Sequence, residues 1–83
     1  MYQVRLTKPA QKQFKKLDSR YKSAINKAFN RLAQNPMTGK ALVGELKGYR
    51  RLRFSRYRII YQIKHQQLIV FVVDIKHRKG AYK

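Results

Sequence analysis

The sequence predicts a small α+β protein with the element order βααβββ, in which an antiparallel sheet carries a helical pair packed on one face. Two observations carry this prediction. Apolar residues alternate with polar ones near the N-terminus and again in the second half, whereas the segment between repeats its apolar residues about every 3.6 positions. The 83 residues, 1–83, leave room for one domain, so all elements share a single core.

The first half of the chain predicts one strand and two helices. Alternation over residues 2–6 predicts the strand, and Thr7 is a suitable N-cap for a short helix that follows it. Asp18 interrupts that helix and caps a second one, which we expect to end near Ala33. The apolar stripe of the second helix consists of Tyr21, Ala24, Ile25, Ala28, Phe29 and Leu32. A loop of about a dozen residues follows, and its length marks it as a place to look for function.

The second half predicts three strands joined by tight turns. Period-two alternation begins after Gly48, and Ser55–Arg56 forms the short connection of a hairpin. A second turn at residues 64–66 leads into a strand over residues 68–75, which is apolar at both parities, as expected of a central strand covered on both faces. The final segment, 77–83, has no apolar stripe and is expected to lie at the edge of the sheet.

The charge of the chain points to an anionic partner and excludes several kinds of site. Lys and Arg number 21 against 3 acids, a formal net charge of +18, so nucleic acid is the first partner to consider. Only Asp18, Glu45 and Asp74 offer carboxylates, and there is no cysteine. These ligands are too few for a two-metal nuclease, a zinc site or a carboxylate-pair hydrolase, so we expect neither a metal nor another cofactor.

Nothing in the sequence predicts a membrane segment or an exported protein. The longest apolar run, Leu68 to Val73, has six residues, far fewer than the roughly 20 that a membrane helix needs. The N-terminus reads as a strand and not as a signal peptide, and the absence of cysteine fits a reducing compartment. We therefore expect a cytoplasmic protein that does not bind membranes.

Arginine is concentrated in one part of the chain. Of the twelve residues from Lys47 to Arg58, six are basic and five of those are Arg, the side chain that binds phosphate bidentately. Strand parity places Arg51 and Arg53 on one face of their strand and Arg58 on the neighbouring strand, so the three are expected to converge on one exposed surface. A solvated sheet face with no ligand is the alternative interpretation. The predicted RNA-binding residues are Lys47, Arg50, Arg53 and Arg56, with Lys12, Lys15, Lys16, Arg20 and Lys27 on the helices.

Four short motifs resemble those of the RelE/ParE superfamily of toxins from type II toxin–antitoxin systems. They are Leu46-Lys47-Gly48, Arg51-Leu52-Arg53, Tyr57-Arg58-Ile59-Ile60-Tyr61, and His77-Arg78 followed by Tyr82. The resemblance spans nearly the whole chain and implies the RelE-like fold. It implies one of two activities: RelE-like members are ribosome-dependent endoribonucleases that cut messenger RNA, whereas ParE-like members poison DNA gyrase. A non-enzymatic basic RNA-binding protein is the remaining alternative.

In the nuclease branch, basic residues stand where this chain has Arg51, Arg58 and Arg78, and a tyrosine near the end corresponds to Tyr82. The resemblance therefore implies a metal-independent reaction, in which the RNA 2′-OH attacks the adjacent phosphorus and these cations stabilise the oxyanions. His77 and Tyr82 are both candidates for proton transfer, and the choice between them stays open. The expected partners are a cognate acidic antitoxin, the ribosome and messenger RNA.

Overall fold

The computed structural model describes residues 1–77, which form two helices and a five-stranded sheet. The strands are β1 (Gln3–Leu6), β2 (Lys40–Ala41), β3 (Arg50–Phe54), β4 (Tyr57–Lys64) and β5 (Ile69–His77), and the helices are α1 (Lys8–Lys15) and α2 (Ser19–Gln34). Across the sheet the order is β1-β5-β4-β3-β2. The predicted α+β class, with a helical pair on a sheet, is confirmed. The short strand β2 was not predicted.

The sheet is mixed, because β1 runs parallel to β5 while the other neighbours are antiparallel. The sequence predicted an antiparallel sheet, and this one pair differs from that prediction. The strand β1 lies at the edge of the sheet and pairs only with the last strand, β5. Both helices and the other strands lie between β1 and β5 in the sequence, and such a long connection permits a parallel pair, whereas a tight hairpin does not. Gln3 pairs with Ile69 and Leu6 with Val72, so β1 closes one edge of the sheet.

Side-chain caps begin both helices where the sequence predicted them. The Thr7 hydroxyl accepts the Ala10 N–H at 3.4 Å, and the Asp18 carboxylate accepts the Arg20 N–H at 3.0 Å. At the end of α2, the Asn35 side chain accepts the Met37 N–H at 3.2 Å and begins a 3₁₀ turn over Pro36–Thr38. These bonds use N–H groups that a helix start leaves unpaired. No helix within residues 1–77 is long and apolar enough to cross a membrane.

Both helices pack against one face of the sheet, and the hydrophobic core lies between them. The fully buried core side chains of larger volume are Tyr61, Ile25, Leu32, Ile59, Val70 and Val72. Residues of β5 at both parities are apolar, and the sequence predicted a central strand covered on both faces. The structure corrects this prediction: within residues 1–77 no helix covers the second face, where Phe71 is half-buried and pairs with Arg5 and Gln62.

A β-bulge in β5 changes which residues face the core. Tyr61 pairs with Val72 and Ile60 with Asp74, so Val73 has no residue opposite it. The extra residue moves Ile75 onto the core side, opposite Ile59. Gln13 of α1 holds this region, because its Nε2 donates to Asp74 at 2.7 Å and its Oε1 accepts the Ile75 N–H at 2.9 Å.

Candidate functional site

The sheet face away from the helices carries the arginines that the sequence predicted to converge. This surface, called the open face below, includes Arg51, Arg53 and Arg58. Arg53 lies directly opposite Arg58 on the neighbouring strand, and Arg51 shares its face one pleat further along β3. Their convergence on one surface is confirmed, since directly paired residues of antiparallel strands point to the same side. The edge residue Lys40 pairs with Arg51 and adds another cation.

Arg58 has a buried polar atom in its side chain. Its side chain is half-buried, and its Nε is a buried atom that has no hydrogen-bond partner among residues 1–77. A buried polar atom without a partner is uncommon, and its desolvation costs about 1–3 kcal/mol. Arg51 is half-buried as well, whereas Arg53 is exposed. The remaining guanidinium donors of Arg58 are suited to bind an anionic oxygen.

The acids of the chain do not neutralise the open face. Within residues 1–77, the one ion pair joins Arg20 to Asp18 at 3.6 Å on the surface of α2. The Arg20 backbone N–H lowers the pKa of Asp18. Asp74 is bound by Gln13, and Glu45 lies in the loop before β3. No group of three or more His, Cys, Asp or Glu side chains in the described residues is arranged to hold a metal ion.

Arg50 does not belong to the open face, although the sequence placed it among the RNA-binding residues. It pairs with Tyr61, a core residue, so it lies on the helix side of β3. Its Nε donates to the Gly39 carbonyl at 3.0 Å and its Nη2 to the Met37 carbonyl at 3.2 Å. Strand parity explains the difference, because Arg50 and Arg51 necessarily point to opposite faces. Arg50 instead positions the loop between α2 and β2.

His77 also lies on the helix side, away from Arg58. The sequence placed it in a terminal segment at the sheet edge, but it is the last residue of β5 and pairs with Tyr57. Its ring centroid is 5.0 Å from that of Tyr57 and 6.2 Å from that of Tyr21, with edge-on geometry in both contacts. The structure therefore does not bring His77 to the arginines. Arg78 and Tyr82 lie outside the described residues.

The other predicted RNA-binding cations are exposed but distributed over separate surfaces. Lys47 follows a 3₁₀ turn before β3, and Arg56 lies in the two-residue turn between β3 and β4. The cations of the helices are all exposed: Lys12, Lys15, Lys16, Arg20 and Lys27. The helices and the open face thus form two basic surfaces on opposite sides of the sheet.

A buried tyrosine joins the loop to the sheet and was not among the residues predicted from the sequence to have a special role. The Tyr61 hydroxyl donates to the Pro36 carbonyl at 2.6 Å and accepts the Gly39 N–H at 2.9 Å. Burial raises the pKa of Tyr61, although the Gly39 N–H and the Arg50 guanidinium act in the opposite direction. A Cβ atom at Gly39 would collide with this hydroxyl and with the Arg51 carbonyl, so glycine is required there.

Comparison with known proteins gives consistent matches. The family described as "ParE toxin of type II toxin-antitoxin system, parDE" matches residues 4–82. The chain is 33% identical over 84 residues to Toxin RelG of Mycobacterium tuberculosis. This alignment covers 99% of this chain and 97% of that protein. It is 32% identical over 82 residues to a putative RelE-like toxin protein of Escherichia coli, with 96% of this chain and 86% of that protein covered.

Solved structures show the same fold. The toxin–antitoxin complex RelBE2 of M. tuberculosis contains a chain that matches with a TM-score of 0.87 and 32% identity, covering 93% of this chain and 98% of that one. The isolated RelE toxin of E. coli matches with a TM-score of 0.79 and 21% identity, covering 93% and 84%. Together with the family match over residues 4–82, these findings show that the chain belongs to the RelE/ParE superfamily of type II toxin–antitoxin toxins.

Proposed function

We propose that this toxin is an endoribonuclease that cleaves messenger RNA on the ribosome. The observation that carries the proposal is the open face, where Arg51, Arg53 and Arg58 lie together and form no ion pair with a carboxylate of residues 1–77. Such clusters bind phosphate groups, and preorganised cations stabilise the charge that develops in phosphoryl transfer. The similarity to a RelE-like toxin protein of E. coli favours the same activity.

In the proposed reaction, the 2′-oxygen of the RNA forms a bond to the adjacent phosphorus and the bond from phosphorus to the 5′-oxygen breaks. The products are a 2′,3′-cyclic phosphate and a free 5′-OH. One group must take the proton from the 2′-OH, and another must give a proton to the departing 5′-oxygen. Nothing in these steps requires a metal ion. Because the reaction runs on ribosomes and messenger RNA, we place the protein in the cytoplasm.

The proposed roles follow from the positions of the cations. Arg58, partly desolvated, binds the non-bridging oxygens of the phosphorane, and Arg78 is proposed as its second donor. Arg51 and Arg53, on the neighbouring strand β3, hold the flanking phosphates. For proton transfer we favour Tyr82, because His77 points to the other face of the sheet.

Arg58→Ala and Arg78→Ala test the proposal in a single-turnover cleavage assay on programmed ribosomes. Loss of one preorganised donor typically lowers the rate about 10²–10³-fold, and both variants should lose toxicity while remaining folded. Arg5→Ala is the matched control, since Arg5 is exposed and bonds only to the nearby Gln3 side chain in the described structure. The ends should be 2′,3′-cyclic phosphate and 5′-OH, and EDTA should not prevent cleavage while the ribosome stays intact. Full toxicity of both variants would refute the nuclease function.

Inhibition of DNA gyrase is the second candidate, and the description of the matching family as a ParE toxin favours it. In that case the open face would contact a protein or DNA surface, and no RNA would be cut. Mapping of nucleic-acid ends in toxin-expressing cells separates the two functions. Cleaved messenger RNA supports the nuclease, whereas double-strand DNA breaks that require gyrase support the alternative.

We also propose that an acidic antitoxin neutralises this chain. Similar solved structures include toxin–antitoxin complexes, among them RelBE2 of M. tuberculosis and the intact RelBE complex of E. coli. With a net charge of +18, the toxin is suited to an acidic segment that folds as it binds. The segment should cover the surface around Arg51 and Arg58 or displace the C-terminal residues. A complex in which the antitoxin touches neither region would contradict this.

A further inference from the structure

We propose that Lys76 binds an RNA phosphate and completes a row of three cations across the open face. The row consists of Arg53, Arg58 and Lys76, which lie on β3, β4 and β5. Lys76 was not among the residues predicted from the sequence, and the four motifs do not include it. The identity of the ligand as RNA rests on the proposed nuclease function, whereas the row itself rests on the strand register.

The register places these three side chains side by side. Arg53 is opposite Arg58, and Arg58 is in turn opposite Lys76. Opposite residues on neighbouring antiparallel strands have Cα atoms about 4.5–5.5 Å apart and point to the same face. The row therefore crosses three adjacent strands at right angles to the chain direction, with the half-buried Arg58 between two exposed cations.

The β-bulge at Val73 is what brings Lys76 into the row. Without the extra residue, the pairing of Tyr61 with Val72 would continue and place Ile75 opposite Arg58. Bulges re-aim side chains and are over-represented beside functional sites. The two hydrogen bonds from Gln13 to Asp74 and Ile75 hold the strand just before Lys76. The helix α1 thus helps to keep a cation next to Arg58.

The row is unfavourable for the free protein. Like charges directly opposite each other in a sheet are destabilising, and the row contains two such pairs. No carboxylate in residues 1–77 forms an ion pair with any of its members. Arg58 also has its Nε buried with no hydrogen-bond partner in the described part of the chain. An arrangement that lowers stability in this way is expected where a polyanion removes the repulsion on binding.

A polynucleotide matches the row better than an acidic peptide does. Each nucleotide carries one phosphate, so a strand of RNA that crosses the sheet presents anions in continuous succession. A peptide that joined the sheet as an extra strand would add at an edge, whereas Arg58, in the middle of the row, lies on the central strand β4. In the proposed complex, Arg58 holds the reacting phosphate and the ammonium of Lys76 holds a neighbouring one.

Lys76→Gln and Lys64→Gln form a matched pair for the test. Lys64 is also an exposed strand lysine of the same sheet, but it pairs with the apolar Ile69 at the far end of β4. In the free protein, Lys76→Gln should raise the Tm by about 1–8 °C, because it removes one like-charge pair. Lys64→Gln should leave the Tm nearly unchanged. This readout does not depend on any activity.

The same variants are then compared for binding and cleavage. With a short RNA blocked by 2′-O-methyl groups, Lys76→Gln should lower the slope of log affinity against log salt by about 0.7, the share of one phosphate contact on a single strand. On programmed ribosomes it should raise the half-saturating toxin concentration roughly tenfold and leave the maximal single-turnover rate within about threefold. Lys76→Arg should restore both values, and Lys64→Gln should change neither.

The outcomes separate this inference from the proposed function. If the wild type binds the blocked RNA but cuts no RNA, the nuclease function fails, and a lower salt slope in Lys76→Gln still supports the phosphate contact. If Lys76→Gln matches Lys64→Gln in salt slope and in half-saturation, the inference is wrong. A Lys76→Gln variant that binds RNA normally and loses affinity only for an acidic antitoxin also overturns it.

Discussion

The imidazole of His77 packs edge-on against the phenol ring of Tyr57, with their centroids 5.0 Å apart and their planes at 85°. The two residues are opposite each other on β5 and β4, on the side of the sheet that carries the helices. Tyr21 of α2 completes the cluster, with its centroid 5.6 Å from that of Tyr57. The last ring of β5 thus joins the sheet to α2, on the side opposite the arginines.

His77→Phe should therefore leave RNA cleavage almost intact. Phenylalanine preserves the aromatic packing, so the single-turnover rate should stay within about threefold of the wild-type rate. The dependence of this rate on pH should be unchanged. His77→Ala removes the ring and should lower the free energy of unfolding by about 0.5–1.5 kcal/mol, as measured by urea denaturation. A large loss of rate in His77→Phe, with a displaced pH profile, would instead identify His77 as a proton-transfer group.

Arg50→Gln should affect the loop and not the binding of nucleic acid. The substitution removes two hydrogen bonds to the carbonyls of Gly39 and Met37, so we expect a loss of about 1–3 kcal/mol in unfolding free energy. The affinity for RNA at fixed salt should change little. Arg53→Gln is the matched control, because Arg53 is exposed on the open face and should show weaker RNA binding with unchanged or higher stability. Equal losses of RNA affinity in both variants would contradict this assignment.

Tyr61→Phe should lower stability at neutral pH by about 1–3 kcal/mol, because it leaves the Pro36 carbonyl and the Gly39 N–H without their buried partner. The difference should shrink in alkali. Burial raises the pKa of Tyr61 in the folded state, whereas an unfolded tyrosine titrates near pH 10. The hydroxyl therefore contributes fully below about pH 10, and its contribution is lost as the pH rises towards the folded pKa.

Urea denaturation of wild type and Tyr61→Phe at pH 8 and at pH 10.5 measures this. Tyr57, whose pKa burial also raises, is present in both proteins and so cancels in the comparison. A gap between the two proteins that stays constant or widens at the higher pH would show that Tyr61 does not titrate as its burial implies.

Local sequence signals predicted the elements well and the register poorly. Thr7 and Asp18 carry their capping roles in their own side chains, so both helix starts could be recognised. The sheet face on which Arg51, Arg53 and Arg58 lie could also be predicted, because side chains alternate between faces along a strand. The bulge at Val73 could not be predicted, because an extra residue in one strand is defined only by the partner strand. For the same reason, the pairing of β1 with β5 and the placement of Lys76 beside Arg58 could not be derived from spacing.

The exposed cations of the helices are separated from the open face by the sheet and the core, which predicts that ribosome binding and chemistry can be changed independently. The triple variant Lys12→Glu, Lys16→Glu, Lys27→Glu should weaken binding to ribosomes, since each reversal removes attraction to ribosomal RNA and adds repulsion. Cleavage at saturating toxin should stay within about threefold of the wild type.

Arg58→Ala is the complementary control for the triple variant, because it should bind ribosomes normally and fail to cut. Sedimentation with ribosomes measures binding, and single-turnover cleavage at saturation measures chemistry. We expect this pattern because the cations of the helices attract ribosomal RNA over a distance, whereas the arginines of the open face act directly on the reacting phosphate. If the triple variant binds ribosomes normally, the helical surface has no role in recognition. If the wild type cuts purified messenger RNA efficiently without ribosomes, the dependence on the ribosome must be abandoned.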